Sequence, residues 1–384
     1  MIRSYKVRIY PTKEQEILMN KHIDCCRFIW NYMLALNLKR EELGEYPLSY
    51  YKMAKEITEL KKQEQYFWLK DVSVYSLQRI CKNLNDTYKN FFNRISNKPK
   101  FKKKAKVKRT FPIRCDRVYF KDEKTIVLPV IGKMRYKTDF SFPYGFLSLK
   151  ALSPVISNIG NKWILAFGLE IENQDYNLND FSVGIDLGIK DLAVVSYNGD
   201  KSKVYHNINK SKKVKYYKSK LKHIQRNLSR KYEKRKSENF YNKEHSKNEI
   251  REIKKIQCLY RRLANIRDNY IHRVTAEIVN ILPKRIVIED LKVSNMLKDK
   301  RLSEEIYEQS FYKFREYLTY KCEEKGIELV IADKYYPSSK TCSCCGNIKK
   351  NLKLSDRTYI CDKCGFTIDR DLNAAINLMN YVAQ

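Results

Sequence analysis

The stretch Val183-Gly184-Ile185-Asp186-Leu187-Gly188 joins a short apolar run to one carboxylate and then to a glycine. The apolar run predicts a buried strand, so Asp186 is expected at the strand's carboxyl end, where a side chain faces a cleft. Gly188 allows the backbone to turn tightly directly afterwards. From about residue 182 onward the chain alternates strand and helix patterns, which favours an α/β sheet that presents Asp186 to a ligand.

Two further acids occur in similar short motifs. Glu289 follows the apolar run Ile286-Val287-Ile288, and Asp371 opens the last predicted helix. Mg²⁺ prefers oxygen ligands and keeps several waters, so a few carboxylates from separate segments can hold it. Two such ions can activate a water and stabilise a leaving oxygen in phosphodiester hydrolysis. Asp186, Glu289 and Asp371 are therefore predicted to be the catalytic, metal-binding acids of a nuclease that uses two Mg²⁺ ions or Mn²⁺.

Each acidic motif also has an ordinary interpretation. An acid after a strand is more often a loop or capping residue, and Asp369 and Asp371 could both be capping acids at a helix start. Asp191 and Asp290 are neighbouring carboxylates with the same uncertainty. The order of the three motifs, with a basic helical insertion between the first two, is more specific than any one of them.

Four cysteines have the spacing of a zinc ribbon, two C-x2-C pairs separated by fifteen residues. They are Cys342, Cys345, Cys361 and Cys364. The array fits tetrahedral Zn²⁺ in a closed structural site, to which no catalysis is assigned. The alternative is a set of buried free cysteines, and Cys344 is an extra thiol that could compete as a ligand.

The charge balance points to a polyanionic partner. Lys and Arg number 77 against 44 acids, for a net charge of +33, which favours nucleic acid over a membrane surface. No stretch approaches the roughly 18 apolar residues of a spanning helix, and no signal peptide is visible. The cysteines outside the ribbon follow no regular spacing, so the chain is expected in the cytoplasm, associated with the nucleoid.

The first half of the chain predicts a strand, a helical module and a set of short strands. Residues 2–10 alternate as a half-buried strand, and helices are expected from Thr12, over about 49–62 and over about 73–95. Short β patterns follow, and with the first strand they predict a small barrel. They lie at residues 118–120, 125–128, 146–149 and 163–167.

A basic run separates the helical module from these strands. Eight of the twelve residues in 98–109 are Lys or Arg. Two interpretations stay open, a solvated linker and a phosphate-contacting segment. In the second half, helices are expected over about 210–236, 247–282 and 303–325.

These motifs together resemble the transposon-encoded TnpB proteins (OrfB type), which are RNA-guided DNA endonucleases related to the compact type V CRISPR effectors. The resemblance covers essentially the whole chain. It rests on the three acidic motifs and on four further segments. These are Tyr5-Lys6-Val7-Arg8-Ile9-Tyr10-Pro11-Thr12 with Gln15, Lys98-Pro99-Lys100-Phe101-Lys102, Ser338-Ser339-Lys340-Thr341-Cys342-Ser343-x-Cys345-Gly346 and Arg357-x-Tyr359-x-Cys361.

The resemblance implies a multidomain α/β chain. It implies an RNase H-like RuvC nuclease domain with an inserted zinc ribbon, and a wedge domain with a β-barrel that is interrupted by a helical recognition domain. The expected limits are 1–10 and 97–181 for the wedge domain, 11–96 for the recognition domain, 182–338 and 367–384 for the nuclease domain, and 339–366 for the ribbon.

The resemblance also implies partners and site residues. A guide RNA would pair with target double-stranded DNA next to a short target-adjacent motif, and the RuvC site would cut it. Asp186, Glu289 and Asp371 would be catalytic, and the four ribbon cysteines would hold structural Zn²⁺. Nucleic-acid contacts are expected at Tyr75, Gln78, Lys98, Lys100, Lys102 and Lys103.

Two other functions remain open from the sequence. One is a guide-free RuvC-type nuclease or transposase, and the other is a nucleic-acid-binding protein of a mobile element that does not cut. The sequence does not distinguish a monomer from a dimer.

Overall fold

The computed structural model describes residues 2–104, 108–138, 142, 150–160, 162–171, 175–197, 201–237, 245–291, 293–299, 301–333, 335–353 and 356–382. The chain forms two compact units, Met1–Glu172 and Asn173–Gln384. Each unit has its own sheet and its own apolar core. The finer domain limits given above stay predictions.

The first unit is built on a seven-stranded sheet in the order β2-β6-β7-β1-β5-β4-β3. Strand β1 lies between β7 and β5 and alternates buried Tyr5, Val7 and Ile9 with exposed residues, as its sequence predicts. The strands are β1 (Ile2–Tyr10), β2 (Arg109–Pro112), β3 (Tyr119–Phe120), β4 (Thr125–Leu128), β5 (Gly132–Lys137), β6 (Leu152–Ile159) and β7 (Lys162–Glu170). Among the described residues, β2 and β3 are the two edge strands of this sheet. The β pattern predicted at 146–149 lies outside the described residues. The closed barrel therefore stays a prediction.

Among the described residues between β1 and β2 there are three α-helices, α1 (Lys13–Glu42), α2 (Tyr50–Leu60) and α3 (Val74–Phe92), and a 3-10 helix at Glu64–Asp71. Thr12 and Gln15 form the predicted capping box at the start of α1. The helices pack their apolar faces into the core that also covers the sheet. The predicted helical module is therefore present, with each later helix shorter than expected by one to a few residues at its ends.

The second unit contains a five-stranded mixed sheet in the order β10-β9-β8-β11-β12. The strands are β8 (Asn179–Leu187), β9 (Asp191–Tyr197), β10 (Lys201–His206), β11 (Pro283–Glu289) and β12 (Glu328–Ala332). Strand β8 runs antiparallel to β9 and parallel to β11. Because parallel strands run in the same direction, the carboxyl ends of the adjacent strands β8 and β11 lie next to each other.

In the described residues of the second unit, six α-helices accompany this sheet. They are α4 (Lys212–Ser237), α5 (Lys247–Val279), α6 (Val293–Met296), α7 (Ser303–Gln309), α8 (Phe311–Lys325) and α9 (Arg370–Met379). Helices α5 and α8 share the core on the face of β8 that carries Val183, Ile185 and Leu187. Helix α9 packs against β8, β9 and β11.

The structure corrects two features of the second half. The single helix expected over 303–325 is interrupted at Ser310, whose φ of 55° takes the backbone into the left-handed region and separates α7 from α8. Strand β10 was not expected, because its sequence Lys201-Ser-Lys-Val-Tyr-His buries only Tyr205. An edge strand pairs through its backbone on one side and needs little apolar pattern.

Candidate active site and zinc ribbon

Two of the predicted acids lie side by side at the carboxyl ends of β8 and β11, which are adjacent parallel strands of the five-stranded sheet. The register pairs Ile288 of β11 with Ile185 of β8, so Glu289 and Asp186 are the next residues along the two strands. Successive side chains of a strand point to opposite faces. Asp186 and Glu289 therefore lie on the face that does not carry the Ile185 and Ile288 core, which is the face that α9 covers.

Helix α9 brings the third acid, Asp371, to the same place through a close approach at Gly184. A Cβ atom at Gly184 would lie 2.0 Å from the carbonyl oxygen of Ala375 and 2.3 Å from the backbone nitrogen of Met379. Ala374 and Ala375 are buried against the sheet. Only a residue without a side chain lets the helix backbone lie this close to β8.

Asp186 lies close enough to Glu289 and Asp371 for their charges to affect its pKa. Burial, together with the carboxylates of Glu289 and Asp371, raises the pKa of Asp186 well above its ordinary value. Arg370 opposes this rise. Its guanidinium donates to Asp371 Oδ1 from Nε at 3.3 Å and from Nη2 at 3.2 Å, and it is largely buried.

The neighbouring carboxylates each have a structural partner of their own. Asp369 is the N-cap of α9 and accepts hydrogen bonds from the backbone nitrogens of Asp371 and Leu372 at 3.0 and 3.1 Å. Asp191 pairs with His206 at 2.7 Å, and Asp290 pairs with Arg315 at 3.2 Å. The capping role that the sequence allowed for both Asp369 and Asp371 therefore belongs to Asp369.

The acids suit divalent metal chemistry by type and position. Glu289 borders a cleft of about 370 Å³ that is also lined by Asn295, Asp333, Tyr336 and Ser338. In the described part of the chain, the ribbon cysteines are the one group of three or more His, Cys, Asp or Glu residues whose ligand atoms all lie within 4.8 Å of one another. The carboxylate oxygens of the three acids therefore do not all lie within 4.8 Å of one another, as the ligands of a single ion would. Their role as metal ligands stays a prediction.

The four ribbon cysteines form one cluster. The sulfurs of Cys342 and Cys364 lie 3.7 Å apart, and those of Cys345 and Cys361 lie 3.6 Å apart. Four sulfurs at about 2.3 Å from one tetrahedral Zn²⁺ lie about 3.8 Å from one another, so the geometry fits structural zinc. Cys344 is exposed and stands outside the cluster.

The two C-x2-C turns explain how short segments present these thiols. Gly346 and Gly365 each have a φ of 72°, a left-handed conformation that glycine adopts without strain. The backbone N–H groups of Cys364 and Lys363 lower the pKa of the Cys361 thiol to about 6. Strands β13 (Thr358–Ile360) and β14 (Thr367–Asp369) flank the second turn, and Asp369 leads directly into α9.

Loss of zinc is expected to loosen the ribbon without unfolding the seven-stranded sheet of the first unit. Cys361→Ser removes one of four thiolates, so bound zinc should fall from one per chain to near zero, since structural zinc supplies folding free energy to its domain. Zinc content by elemental analysis and amide hydrogen exchange over 339–369 check this. Cys344→Ser is the matched control and should keep the zinc; equal zinc loss in both variants would contradict the ligand assignment.

The residues expected to contact nucleic acid lie in two places, in helix α3 and in the basic segment 98–104. Tyr75 and Gln78 lie in the first turns of α3 and are half-buried. Among the lysines, Lys98 pairs with Glu41 at 2.5 Å, and the Lys102 ammonium lies 3.5 Å from the centre of the Trp30 ring. Lys100 and Lys103 are exposed.

The basic segment around these lysines is held against α1. Trp30 Nε1 donates to the carbonyl of Lys100 at 3.0 Å. The Asn31 side chain donates to the carbonyl of Lys102 at 3.1 Å and accepts from its N–H at 2.7 Å. Burial lowers the pKa of Lys102 to about 8. Residues 98–104 are therefore held against α1 by hydrogen bonds from Trp30 and Asn31 to the backbone of Lys100 and Lys102. The pattern of charged residues in the sequence does not reveal such backbone contacts.

Sequence reasoning missed the polar residues that join the ribbon to the acids. Ser338 donates to Glu289 Oε1 at 2.8 Å, and Asn373 and Asn377 of α9 bond to residues 338–343. A signal was present in the sequence, since two asparagines four residues apart interrupt an apolar helix face. Their partners depend on the tertiary structure.

Three family models match the chain. "Cas12f1-like, TNB domain" matches residues 311–378, the OrfB_IS605 model "Probable transposase" matches residues 169–300, and "Helix-turn-helix domain" (HTH_OrfB_IS605) matches residues 1–44. In this structure, the region matched by the helix-turn-helix model contains strand β1 and helix α1, which is 30 residues long.

Two curated relatives match along nearly the whole chain, and a third matches about a third of it. A protein of Escherichia coli (strain K12) named "Putative RNA-guided DNA endonuclease InsQ" is 30% identical over 402 residues, covering 98% of this chain and 92% of the relative. A Streptomyces pristinaespiralis protein, "Putative RNA-guided DNA endonuclease", is 28% identical and covers 98% and 88%. The CRISPR-associated endodeoxyribonuclease Cas12f1 of Sulfoacidibacillus thermotolerans is 33% identical over 130 residues, covering 33% of this chain and 30% of its own.

A solved structure supports the α/β fold. The protein chain in "Cryo-EM structure of the Cas12f1-sgRNA-target DNA complex" aligns with a TM-score of 0.60 at 14% identity, covering 99% of both chains. At this identity the match bears on fold alone. In the described part of the chain, no helix combines the length and the apolar character needed to cross a bilayer.

Proposed function

The chain belongs to the transposon-encoded TnpB family, and from that membership we propose that it is an RNA-guided DNA endonuclease. The observation that carries the proposal is that Asp186 and Glu289 lie at the carboxyl ends of adjacent parallel strands, and that helix α9, with Asp371 in its first turn, packs directly on one of those strands at Gly184. The net charge of +33 supplies the attraction for two polyanions, a guide RNA and a double-stranded DNA target. DNA as the substrate also implies association with the nucleoid.

In this proposal the three acids are ligands of two divalent ions, Mg²⁺ or Mn²⁺. When bound, the ions supply an activated water and stabilise the leaving oxygen of a phosphodiester. Asp186 and Glu289 are held rigidly by adjacent strands, and Asp371 is held by a helix that lies directly on one of them. Rigid carboxylates keep a fixed geometry while negative charge develops on the phosphate.

The guide and the motif belong to the same proposal. The RNA would read the target by base pairing, and the protein would read only a short adjacent motif in the duplex. Tyr75 and Gln78 on α3 are proposed for the contact with that duplex, and Lys100 and Lys103 for contact with phosphates. The domain limits given in the sequence analysis are proposed with it.

Bound RNA tests the proposal most directly. The protein is expressed with the DNA that flanks its gene, purified, and the RNA that remains bound is sequenced. A single discrete RNA that ends in a variable segment is expected. Heterogeneous RNA, or none, combined with cleavage of DNA in the absence of RNA, would favour a guide-free nuclease instead.

Exchange of two exposed lysines is expected to weaken RNA binding in a salt-dependent way. Each phosphate contact contributes about 0.7–0.9 to the slope of log K against log salt, so Lys100→Gln with Lys103→Gln should reduce that slope by about 1.4–1.8. Filter binding or fluorescence anisotropy across a salt series measures it. Lys102→Gln is the control, since Lys102 packs on Trp30, and a slope change as large as that of the pair would contradict this assignment.

A further inference from the structure

Two asparagines interrupt the buried face of the last helix. Asn373 is fully buried and Asn377 is 5% exposed, beside the apolar Ala374 and Leu378. Residues four apart lie on the same face of a helix. A buried amide costs free energy unless its donors and its acceptor are paired, so both residues need partners in the fold.

Both asparagines bond to one segment, residues 338–343. Asn377 Nδ2 donates to the carbonyl oxygens of Ser338 and Thr341, each at 2.7 Å. Asn373 Nδ2 donates to the Thr341 carbonyl at 2.7 Å, and its Oδ1 accepts from the Ser343 N–H at 3.0 Å. The segment contains Cys342, so the helix that carries Asp371 also holds the first turn of the zinc cluster.

The same segment reaches the acid centre through Ser338. Its hydroxyl donates to Glu289 Oε1 at 2.8 Å, and the residue is 5% exposed. A hydrogen bond of this kind fixes the orientation of a carboxylate. Partners behind a metal ligand contribute to metal affinity in this way, and their loss costs about 10–100-fold in affinity or activity.

We propose that Ser338 is a positioning residue for Glu289 and that the zinc cluster keeps it in place through the segment 338–343. The inference rests on the proposed function, since it takes Glu289 to be a metal ligand. Zinc then has a second effect besides folding the ribbon. It fixes Cys342, and the chain between Cys342 and Ser338 carries that restraint to the Glu289 carboxylate.

The neighbouring serine offers a matched control. Ser339 has the same side chain one residue along, and its hydroxyl makes no hydrogen bond to Glu289 among the described residues. Ser338→Ala and Ser339→Ala remove the same atom from adjacent positions. A general effect of changing this loop would appear in both variants, whereas a positioning role appears only in the first.

Mn²⁺ binding to the full chain, measured by calorimetry with the zinc retained in wild type and in the two serine variants, tests the proposal without requiring cleavage. Ser338→Ala is expected to weaken Mn²⁺ binding about 10–100-fold, with an unchanged melting temperature, and Ser339→Ala to leave it within about twofold. Cys345→Ser, which removes a zinc ligand, should weaken Mn²⁺ binding by a similar factor. In the double variant Ser338→Ala/Cys345→Ser the two effects should not multiply, because both remove the same restraint.

The outcomes separate the inference from the function on which it rests. If Asp186→Ala leaves Mn²⁺ binding unchanged, the acid centre is not the metal site, and the proposed function fails together with the inference. If Asp186→Ala weakens binding and Ser338→Ala does not, the inference alone is wrong. Effects of Ser338→Ala and Cys345→Ser that multiply fully in the double variant would overturn the link to zinc.

Discussion

Replacement of Asp186 by Ala is expected to lower guide-dependent DNA cleavage by about 1,000-fold or more. The proposed role of this carboxylate is to hold a metal ion, and the metal contributes several kcal/mol of stabilisation to the charge that develops on the phosphate. Burial, together with the carboxylates of Glu289 and Asp371, raises the pKa of Asp186. Binding of RNA and DNA should persist, because it depends on basic residues elsewhere.

Single-turnover cleavage of a programmed target by wild type and variant measures this effect. Asp191→Asn is the matched control, because Asp191 is an acid at the start of the next strand whose partner is His206. It should cleave within about threefold of wild type. Cleavage by Asp186→Ala at the wild-type rate would show that the proposed centre is not the one that cuts.

Asp186→Asn should also leave the metal-free protein at least as stable as wild type. The pKa of Asp186 is raised because its charged form is disfavoured by burial and by two neighbouring carboxylates. A neutral amide of the same shape avoids that cost at neutral pH. Loss of cleavage therefore has to come from chemistry and not from unfolding, and a thermal melt of the same preparation checks this.

We expect Gly184→Ala to lower the stability of the second unit more than the addition of a methyl group at any other position. Its Cβ would lie 2.0 and 2.3 Å from backbone atoms of Ala375 and Met379, which cannot rotate away as a side chain can. Helix α9 has to move off β8, at a cost of about 3 kcal/mol or more. For a unit of this size that corresponds to a melting temperature lower by about 6–12 °C.

Differential scanning calorimetry measures the stability, and the cleavage assay measures the displacement of Asp371. Gly188→Ala is the control on the same strand end, since its Cβ would meet only the Asp191 carbonyl oxygen at 3.1 Å, a contact that relaxes with a small shift. The loss in melting temperature should be several times smaller for Gly188→Ala. Equal losses would mean that α9 does not depend on the contact at Gly184.

Local pattern was enough to find most elements of this chain. The alternation in β1, the capping box of α1 and the apolar runs before Asp186 and Glu289 each depend on residues within a few positions of one another. The break at Ser310 and the edge strand β10 were missed. The break at Ser310 follows Gln309, whose side chain donates to the carbonyls of Gly188 and Ile189, far away in sequence. Strand β10 pairs with the preceding strand β9 through its backbone and buries only Tyr205, so its side chains show little apolar pattern.

The sequence by itself determined the family, the zinc-type spacing of four cysteines and the three acids to examine, because motif residues and their spacing are properties of the chain. Only the tertiary structure decided that Asp369 is a cap while Asp371 lies near Asp186, that Lys102 packs on Trp30, and that Ser338 bonds to Glu289. The physical reason is the same in each case. A side chain's role depends on partners that the fold brings within hydrogen-bonding distance, and Glu289 and Ser338 are 49 residues apart in sequence.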